Sequence, residues 1–351
     1  TASPQGNLDG TYSIPSTALQ QIESDGNQVH NVWVTGVGSG HLSDAAQFVN
    51  MTYDARQNYT TSTIGHGLTL FALLYTFVVP VTFNLGQLFL LLWTVYVVLF
   101  AIALNGPVRN LYNAMKSAGR RGIGALMDNS MFALLIVFPV VLWATVLLAL
   151  IQQAGGVSTG NLPAADPLLQ FVELAIAPVR EEIGFRVIPI GIAVLAVLFL
   201  QGKFRDGLLS LWHPARYLKK NDSPARYKRH VYLVYAMIAI SAVSFGLAHV
   251  LLGAGWGPGK ILDAAVAGVA LGGLYYLYGL PAAILLHWSI DYFLTVFTFN
   301  PNLLVFGDII TFYTLFLAVL GSIVLIVLLI RKLRSLRAGI YSSGDWRSSI
   351  R

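Results

Sequence analysis

The chain has 351 residues, of which 56% are hydrophobic and only 11% are charged, with a formal net charge of +6. Soluble domains carry roughly 25% charged residues, so an ordinary soluble enzyme, a nucleic-acid-binding protein and a disordered scaffold all fit poorly. The absence of cysteine excludes disulfide bonds, thiolate metal sites and a cysteine nucleophile. The composition predicts an all-α, polytopic helical membrane protein.

The first part of the chain differs in composition from the rest. Residues 1–65 are polar and contain five acidic residues, a single arginine and no lysine. We therefore predict three regions: an external polar N-terminal segment at 1–65, a membrane-embedded helical core at 66–330 and a basic cytoplasmic tail at 331–351.

The core contains apolar stretches long enough for helices of about 20 residues, the length that spans a bilayer. Seven predicted spans follow in chain order, at 85–104, 131–151, 183–201, 231–252, 261–279, 282–300 and 309–330. Pro80 and polar residues separate the preceding stretch, 67–80, from the first span. We predict that 67–80 is interfacial or re-entrant; if it also crosses the membrane, the protein has eight spans.

Basic residues mark the orientation of the chain. Eighteen of the 22 lysine and arginine residues lie in three segments, 105–130, 202–230 and 331–351, which the positive-inside rule assigns to the cytoplasm. With seven spans, this predicts an integral protein of the cell membrane with its N-terminus outside and its C-terminus in the cytoplasm. The loop 202–230 is expected to contact anionic lipid headgroups, with docking of a membrane-complex partner as the alternative.

The first candidate motif is a cluster of charged residues, which are costly inside a bilayer and usually functional there. On a helix, Glu182 and Arg186 lie one turn apart on the same face and can form an ion pair. Glu181 is rotated from this pair by about 100°, so it stays free to act as a base. A salt-bridged kink that only packs helices, or a helix end at the membrane boundary, remains open as an alternative.

Two further motifs contain the two histidines that lie inside predicted spans. Phe245 and His249 are one turn apart on one span, and His287 and Asp291 are one turn apart on another. A pair with the latter spacing can hold a metal, build a proton relay or direct two donors at one oxygen. Taken singly, each histidine also suits an ordinary hydrogen bond between helices.

Together, Glu-Glu-x-x-x-Arg, Phe-x-x-x-His and His-x-x-x-Asp, each on a separate span between 181 and 291, resemble the motifs of the CPBP family. This family contains CAAX proteases and bacteriocin-processing enzymes, among them the Ras-converting CAAX endopeptidases and the Abi proteins. The resemblance covers about 180–300, about a third of the chain. It implies an intramembrane endopeptidase that cuts a membrane-associated peptide or protein, for which a prenylated C-terminus is the nearest family precedent.

The resemblance also implies a role for each motif residue. Glu181 activates a water molecule, His249 helps to hold and polarise it, and His287 with Asp291 forms an oxyanion site. Glu182, Arg186 and Phe245 support these catalytic residues.

One position departs from the Ras-converting enzymes, which have Asn where this chain has Asp291. An ionised aspartate cannot donate a hydrogen bond to an oxyanion. Asp291 is therefore expected either to be protonated or to orient His287 as a carboxylate–imidazole pair, and the second arrangement is preferred.

No cofactor is expected, although zinc held by Glu181, His249 and His287, with Asp291, is a less favoured alternative. The chain has no His-Glu-x-x-His motif. Two other functions stay open: a non-catalytic CPBP-like accessory or scaffold subunit of a larger membrane complex, and a proton or ion pathway. The predicted topology also places His249 near the external end of its span and His287 near the internal end of its own.

Overall fold

The structure is a computed structural model that describes residues 5–6, 12–13, 68–79, 85–121, 123–160, 167–252, 255–295 and 307–344. The predicted external segment 1–65 lies outside the described residues except for its four residues 5–6 and 12–13. The chain divides into two compact units, one formed by 1–70 and 76–95 and the other by 71–75 and 96–351. All three sequence motifs belong to the second unit.

Helices dominate the described part of the chain. In chain order they are α1 (Leu85–Asn105), α2 (Leu111–Arg121), a 3₁₀-helix (Ile123–Asp128), α3 (Ser130–Ala154), α4 (Pro167–Glu182), a π-helix (Ile183–Gly191), α5 (Ile192–Leu200), α6 (Phe204–Ser210), α7 (Pro214–Asn221), α8 (Pro224–Leu251), α9 (Gly259–Tyr278), α10 (Leu280–Thr295) and α11 (Gly307–Gly344). Two short hairpins complete the set, with β1 (Gln5–Gly6) paired to β2 (Tyr12–Ser13) and β3 (Leu68–Ala72) paired to β4 (Tyr75–Val79).

Among the described residues, five helical segments are long and apolar enough to cross a membrane. They are Gly86–Asn105, Ser130–Ala154, Phe171–Leu200, Pro224–Leu251 and Gly259–Tyr278, and each overlaps a predicted span. The predicted span 282–300 corresponds to α10, which has 16 residues, and the predicted span 309–330 lies within α11. The prediction of an all-α polytopic membrane protein is confirmed.

The stretch 67–80, which could have added an eighth span, is not helical where it is described. It forms the hairpin of β3 and β4, as suits the aromatic and β-branched residues of Tyr75–Val79. A five-residue strand is only about 17 Å long, whereas a strand that crosses a membrane needs about 9–11 residues. The described residues therefore do not provide an eighth helical span.

The helix that carries the first motif is longer than predicted. The sequence places its span at 183–201, but the helical segment runs from Phe171 to Leu200. Two ion pairs along it, Arg180–Glu173 at 3.0 Å and Arg186–Glu182 at 3.1 Å, offset the charges that made this stretch look too polar to lie in a membrane. The two adjacent glutamates consequently lie inside the span and not at its edge.

A π-helix occupies Ile183–Gly191, directly after the double glutamate. Its hydrogen bonds run from residue i to residue i+5, a pattern that is rare and often found at functional sites. Pro189 lies within it and has no N–H group, so the Phe185 carbonyl lacks its α-helical donor. The hydroxyl of Ser241, on α8, donates a hydrogen bond to this carbonyl and joins the motif helix to α8.

Helices α8 and α9 pack closely through small residues. A Cβ atom placed on Gly268 would lie 2.9 Å from Ala242 Cα, and one on Gly272 would lie 3.0 Å from Ile238 Cγ2. Small residues that allow helix backbones to approach closely are typical of helix interfaces in a bilayer. Here they pack α8, which carries the second motif, directly against α9.

Replacing Gly246 with alanine is expected to destabilise the protein by about 1–3 kcal/mol. The new methyl group would collide with the backbone carbonyl oxygen of Ile261 on α9, which cannot move without shifting the helix. Thermal unfolding of the purified protein in detergent measures the effect. Gly273→Ala is the matched control, because nothing lies within 4 Å of its added Cβ; equal destabilisation by both substitutions would contradict the argument.

Candidate active site

The three motifs, which lie on α4 with its π-helix, on α8 and on α10, meet in the second unit of the chain. Their centre is the ion pair of Arg186 Nε and Glu182 Oε2, 3.1 Å apart with both side chains 0% exposed. Spacing along one helix predicted this pair. A buried ion pair depends on further partners for its remaining polar atoms. His287 supplies one to Glu182 Oε1 and Ser241 supplies one to Arg186 Nη1, whereas Arg186 Nη2 has no hydrogen-bond partner among the described residues.

His287 joins the third motif to the first. Its Nδ1–H donates a hydrogen bond of 2.8 Å to Glu182 Oε1, so the ring is held by an acid from another helix. Its Nε2 faces two other carboxylates, at 3.4 Å from Asp291 Oδ2 and 3.7 Å from Glu181 Oε2. Glu182 makes the shortest contact with this ring, through Nδ1, while Asp291 faces the other nitrogen; that Asp291 orients His287 stays a prediction.

Arg186 makes further contacts on α8. Its Nη1 donates a hydrogen bond of 2.9 Å to Ser241 Oγ, and its guanidinium lies 4.5 Å from the centroid of the Phe245 ring. Ser241 was not predicted from the sequence. The available signal is its spacing, since it lies one turn before Phe245 on the same helical face.

Phe245 lies between the two motif histidines. Its ring centroid is 4.7 Å from that of His249 and 5.5 Å from that of His287, both in edge-on geometry. His249 Nδ1 lies 2.8 Å from the Phe245 carbonyl oxygen, which can only accept a hydrogen bond. The proton of a neutral His249 therefore resides on Nδ1, and its Nε2 is an acceptor that can bind a water molecule.

Exposure differs sharply within the site. The side chains of Glu182 and His287 are 0% and 6% exposed, whereas those of Glu181 and Asp291 are 17% and 24% exposed. The two more exposed carboxylates are the two that face His287 Nε2. This side of the imidazole is therefore where a small molecule can reach the site.

The mismatch in depth between His249 and His287 is smaller than the sequence suggests. Helix α10 begins at Leu280, before the predicted start at residue 282, so His287 is its eighth residue and lies two turns into the helix. The predicted starts of the two helices after α8, at 261 and 282, each differ by only two residues from the observed starts at Gly259 and Leu280. The contact of Phe245 with both histidine rings then brings the two motifs to one level.

The tip of the β3–β4 hairpin contacts the motif helix at Gly184. The Leu73 N–H donates to the Gly184 carbonyl over 3.5 Å, and a Cβ atom on Gly184 would lie 2.5 Å from the Phe71 carbonyl oxygen. The Phe71 ring lies 5.8 Å from that of Phe185 and 5.6 Å from the Arg180 guanidinium. Glycine at position 184 is therefore required for the hairpin tip to lie against the helix next to Glu181.

The zinc alternative finds little geometric support in the described residues, which contain no group of three or more acidic, histidine or cysteine side chains arranged to hold a metal ion. His287 Nδ1 and Glu182 are already bonded to each other, and His249 Nδ1 bonds to a carbonyl. Zinc binding remains a prediction that a chelator can test.

Fold and site together define a polytopic helical membrane protein with a buried centre of carboxylates and imidazoles. Residues 163–293 match the family model described as Rce1-like, type II CAAX prenyl endopeptidase. This confirms the resemblance to the CPBP family of CAAX proteases, and the matched range contains all three motifs. No curated protein and no solved structure matches the chain. The family match supports a protease-type enzyme that acts in the lipid bilayer on a membrane-associated substrate.

Proposed function

We propose that the protein is an intramembrane endopeptidase of CAAX-protease type in which Glu181 activates the attacking water. The observation that carries the proposal is the placement of Glu181 and Asp291 on the more exposed side of His287, whose other side is fixed by Glu182. One carboxylate is thus committed to structure, and its neighbour in the chain faces the space where a substrate can enter.

In the proposed reaction, Glu181 accepts a proton from water as the water oxygen bonds to the scissile carbonyl carbon. The π-electron pair of the carbonyl moves to its oxygen and forms a tetrahedral oxyanion. As the oxyanion re-forms the C=O bond, the C–N bond breaks and Glu181 returns the proton to the leaving nitrogen. The products are a carboxylic acid and an amine, which become a carboxylate and an ammonium group after proton transfer. The free Nε2 of His249 accepts a hydrogen bond from the same water and holds it in place.

His287 is proposed to stabilise the oxyanion. In its protonated form, Nδ1–H donates to Glu182 and Nε2–H is left to donate toward the reacting oxygen, where Asp291 and Glu181 also lie. Preorganised donors of this kind are most effective where water is scarce. Asp291 then offsets the imidazolium charge, and this does not require it to donate a hydrogen bond itself.

The substrate is proposed to be a membrane-associated peptide or protein with a C-terminal cleavage site, prenylated in the nearest family precedent. We also propose the topology derived from the three basic segments, with an external N-terminus and a cytoplasmic C-terminus. The loop 202–230 would then contact anionic lipid headgroups on the cytoplasmic side.

The test is cleavage of a pool of prenylated and unprenylated C-terminal peptides by the purified full-length protein in lipid nanodiscs. The reaction is run in ¹⁸O-labelled water, with and without chelator, and the products are read by mass spectrometry. A Glu181→Gln sample prepared in parallel corrects for contaminating proteases. We expect chelator-insensitive cleavage with one ¹⁸O atom in the new carboxylate. Loss of cleavage with chelator would favour zinc, and absence of cleavage would favour the scaffold function.

A further inference from the structure

Lys260 differs from the other basic residues of the core. Four basic residues lie outside the three basic segments: Arg56, Arg180, Arg186 and Lys260. Arg180 and Arg186 each form an ion pair with a glutamate on their own helix. The part of the chain that the structure describes offers the Lys260 ammonium no ion-pair or hydrogen-bond partner, although this side chain is half-buried.

The Lys260 side chain lies next to the candidate active site. Its Nζ is 4.1 Å from the centroid of the Trp256 ring, and that ring is 6.5 Å from the His249 ring. The ammonium is close enough to Asp291, Asp263 and Glu181 to interact with them electrostatically, yet among the described residues it forms no ion pair with any of the three carboxylates. It is therefore a cation beside the reacting groups but not in contact with them.

The backbone around Lys260 does not supply another free donor. The N–H groups of Gly259, Lys260 and Ile261 donate to the carbonyls of Ser158, Gly257 and Pro258 over 3.0–3.2 Å. An anion at this turn could therefore bind the Lys260 ammonium, but it could not accept a hydrogen bond from these three backbone N–H groups. A cation in a poorly hydrated site that makes no direct ion pair is costly, and an anion bound in contact with it would lower that cost.

We propose that Lys260 binds the C-terminal carboxylate of the substrate peptide and so selects substrates that are cut near a free C-terminus. This inference rests on the proposed function. An extended residue spans about 3.3–3.6 Å, so a carboxylate a few residues from the scissile bond lies well away from the attacking water. A cation within electrostatic range of Glu181, but beyond ion-pair distance, suits that position.

The test compares one peptide with a free C-terminal carboxylate and the same peptide with a C-terminal amide. Wild-type protein should cleave the acid with a kcat/KM roughly 10- to 100-fold higher than that of the amide, as expected for one charge-assisted hydrogen bond. Lys260→Met should bring the ratio of the two kcat/KM values close to one, whereas Lys260→Arg should keep most of the preference. Lys203→Met, at an exposed lysine before α6, is the matched control and should behave as wild type.

Equilibrium binding of both fluorescent peptides to Glu181→Gln protein, with and without Lys260→Met, separates this inference from the proposed function. If the wild type cleaves nothing but the acid still binds better through Lys260, the inference stands and the peptidase proposal fails. Equal binding of acid and amide, a preference that survives Lys260→Met, or no binding of the acid would each overturn the inference.

Discussion

Glu181→Gln is expected to lower the turnover of a cleaved peptide by about 10³-fold or more, with little change in the affinity for that peptide. The amide keeps the size of the side chain but cannot accept the proton of the attacking water. Because Glu182 alone holds the ion pair with Arg186, the substitution leaves the buried core of the site intact. Single-turnover cleavage measures the rate, and binding of a labelled peptide measures the affinity.

Glu173→Gln is the matched control for this prediction. It is the same chemical change on the same helix, at a side chain that is 31% exposed and paired with Arg180 outside the site. We expect its turnover to stay close to that of the wild type. A Glu181→Gln protein that cleaves as fast as Glu173→Gln would show that Glu181 is not the base.

Arg186→Met is expected to lower the free energy of unfolding by about 3–5 kcal/mol, the usual cost of leaving one partner of a buried ion pair without its counter-charge. The Glu182 carboxylate, which is 0% exposed, would then keep only its hydrogen bond from His287. Ser241 Oγ and the Phe245 ring would also lose their contacts with the guanidinium. Denaturation in mixed detergent micelles measures the loss.

Two further variants test the cause of this loss. The double substitution Glu182→Gln with Arg186→Met removes both charges and should recover a large part of the stability. Arg109→Met breaks an ion pair of similar length, 2.9 Å to Asp128, whose side chains are 32% and 35% exposed. Such an exposed pair contributes about 0–1 kcal/mol, so a loss there as large as that of Arg186→Met would contradict the role of burial.

Local spacing was enough to predict those parts of the site that lie on one helix. The pairing of Glu182 with Arg186 follows from the helical repeat, and the same repeat places Phe245 beside His249. The fold class follows from apolar length and charge distribution. The hydrogen bond between His287 and Glu182 could not be predicted in this way, because it joins residues 105 positions apart and depends on how separate helices pack.

Other features lack a clear local signal in the sequence. The turn between β3 and β4 is Leu73-Leu74, without the glycine, asparagine or aspartate that normally marks a hairpin, although Leu73 has a φ of 56°. The true start of the motif helix was hidden because its glutamates and arginines look too polar for a span until their pairing is known. Pro189 marks an irregularity but does not by itself specify a π-helix.

The contact between the hairpin tip and Gly184 is relevant to the supply of water, which the proposed peptide hydrolysis consumes. Gly184 is the fourteenth residue of the 30-residue segment Phe171–Leu200, so the tip meets this helix near its middle. Hydrocarbon cannot satisfy the free N–H and C=O groups of a turn, and non-helical backbone occurs at that depth only inside protein or beside a water-filled space. Leu74 and Tyr75 at this tip are 38% and 80% exposed, so the described residues do not enclose both of them. If Phe171–Leu200 spans the bilayer, as its length and composition allow, the turn requires protein or water around its free backbone groups next to Glu181.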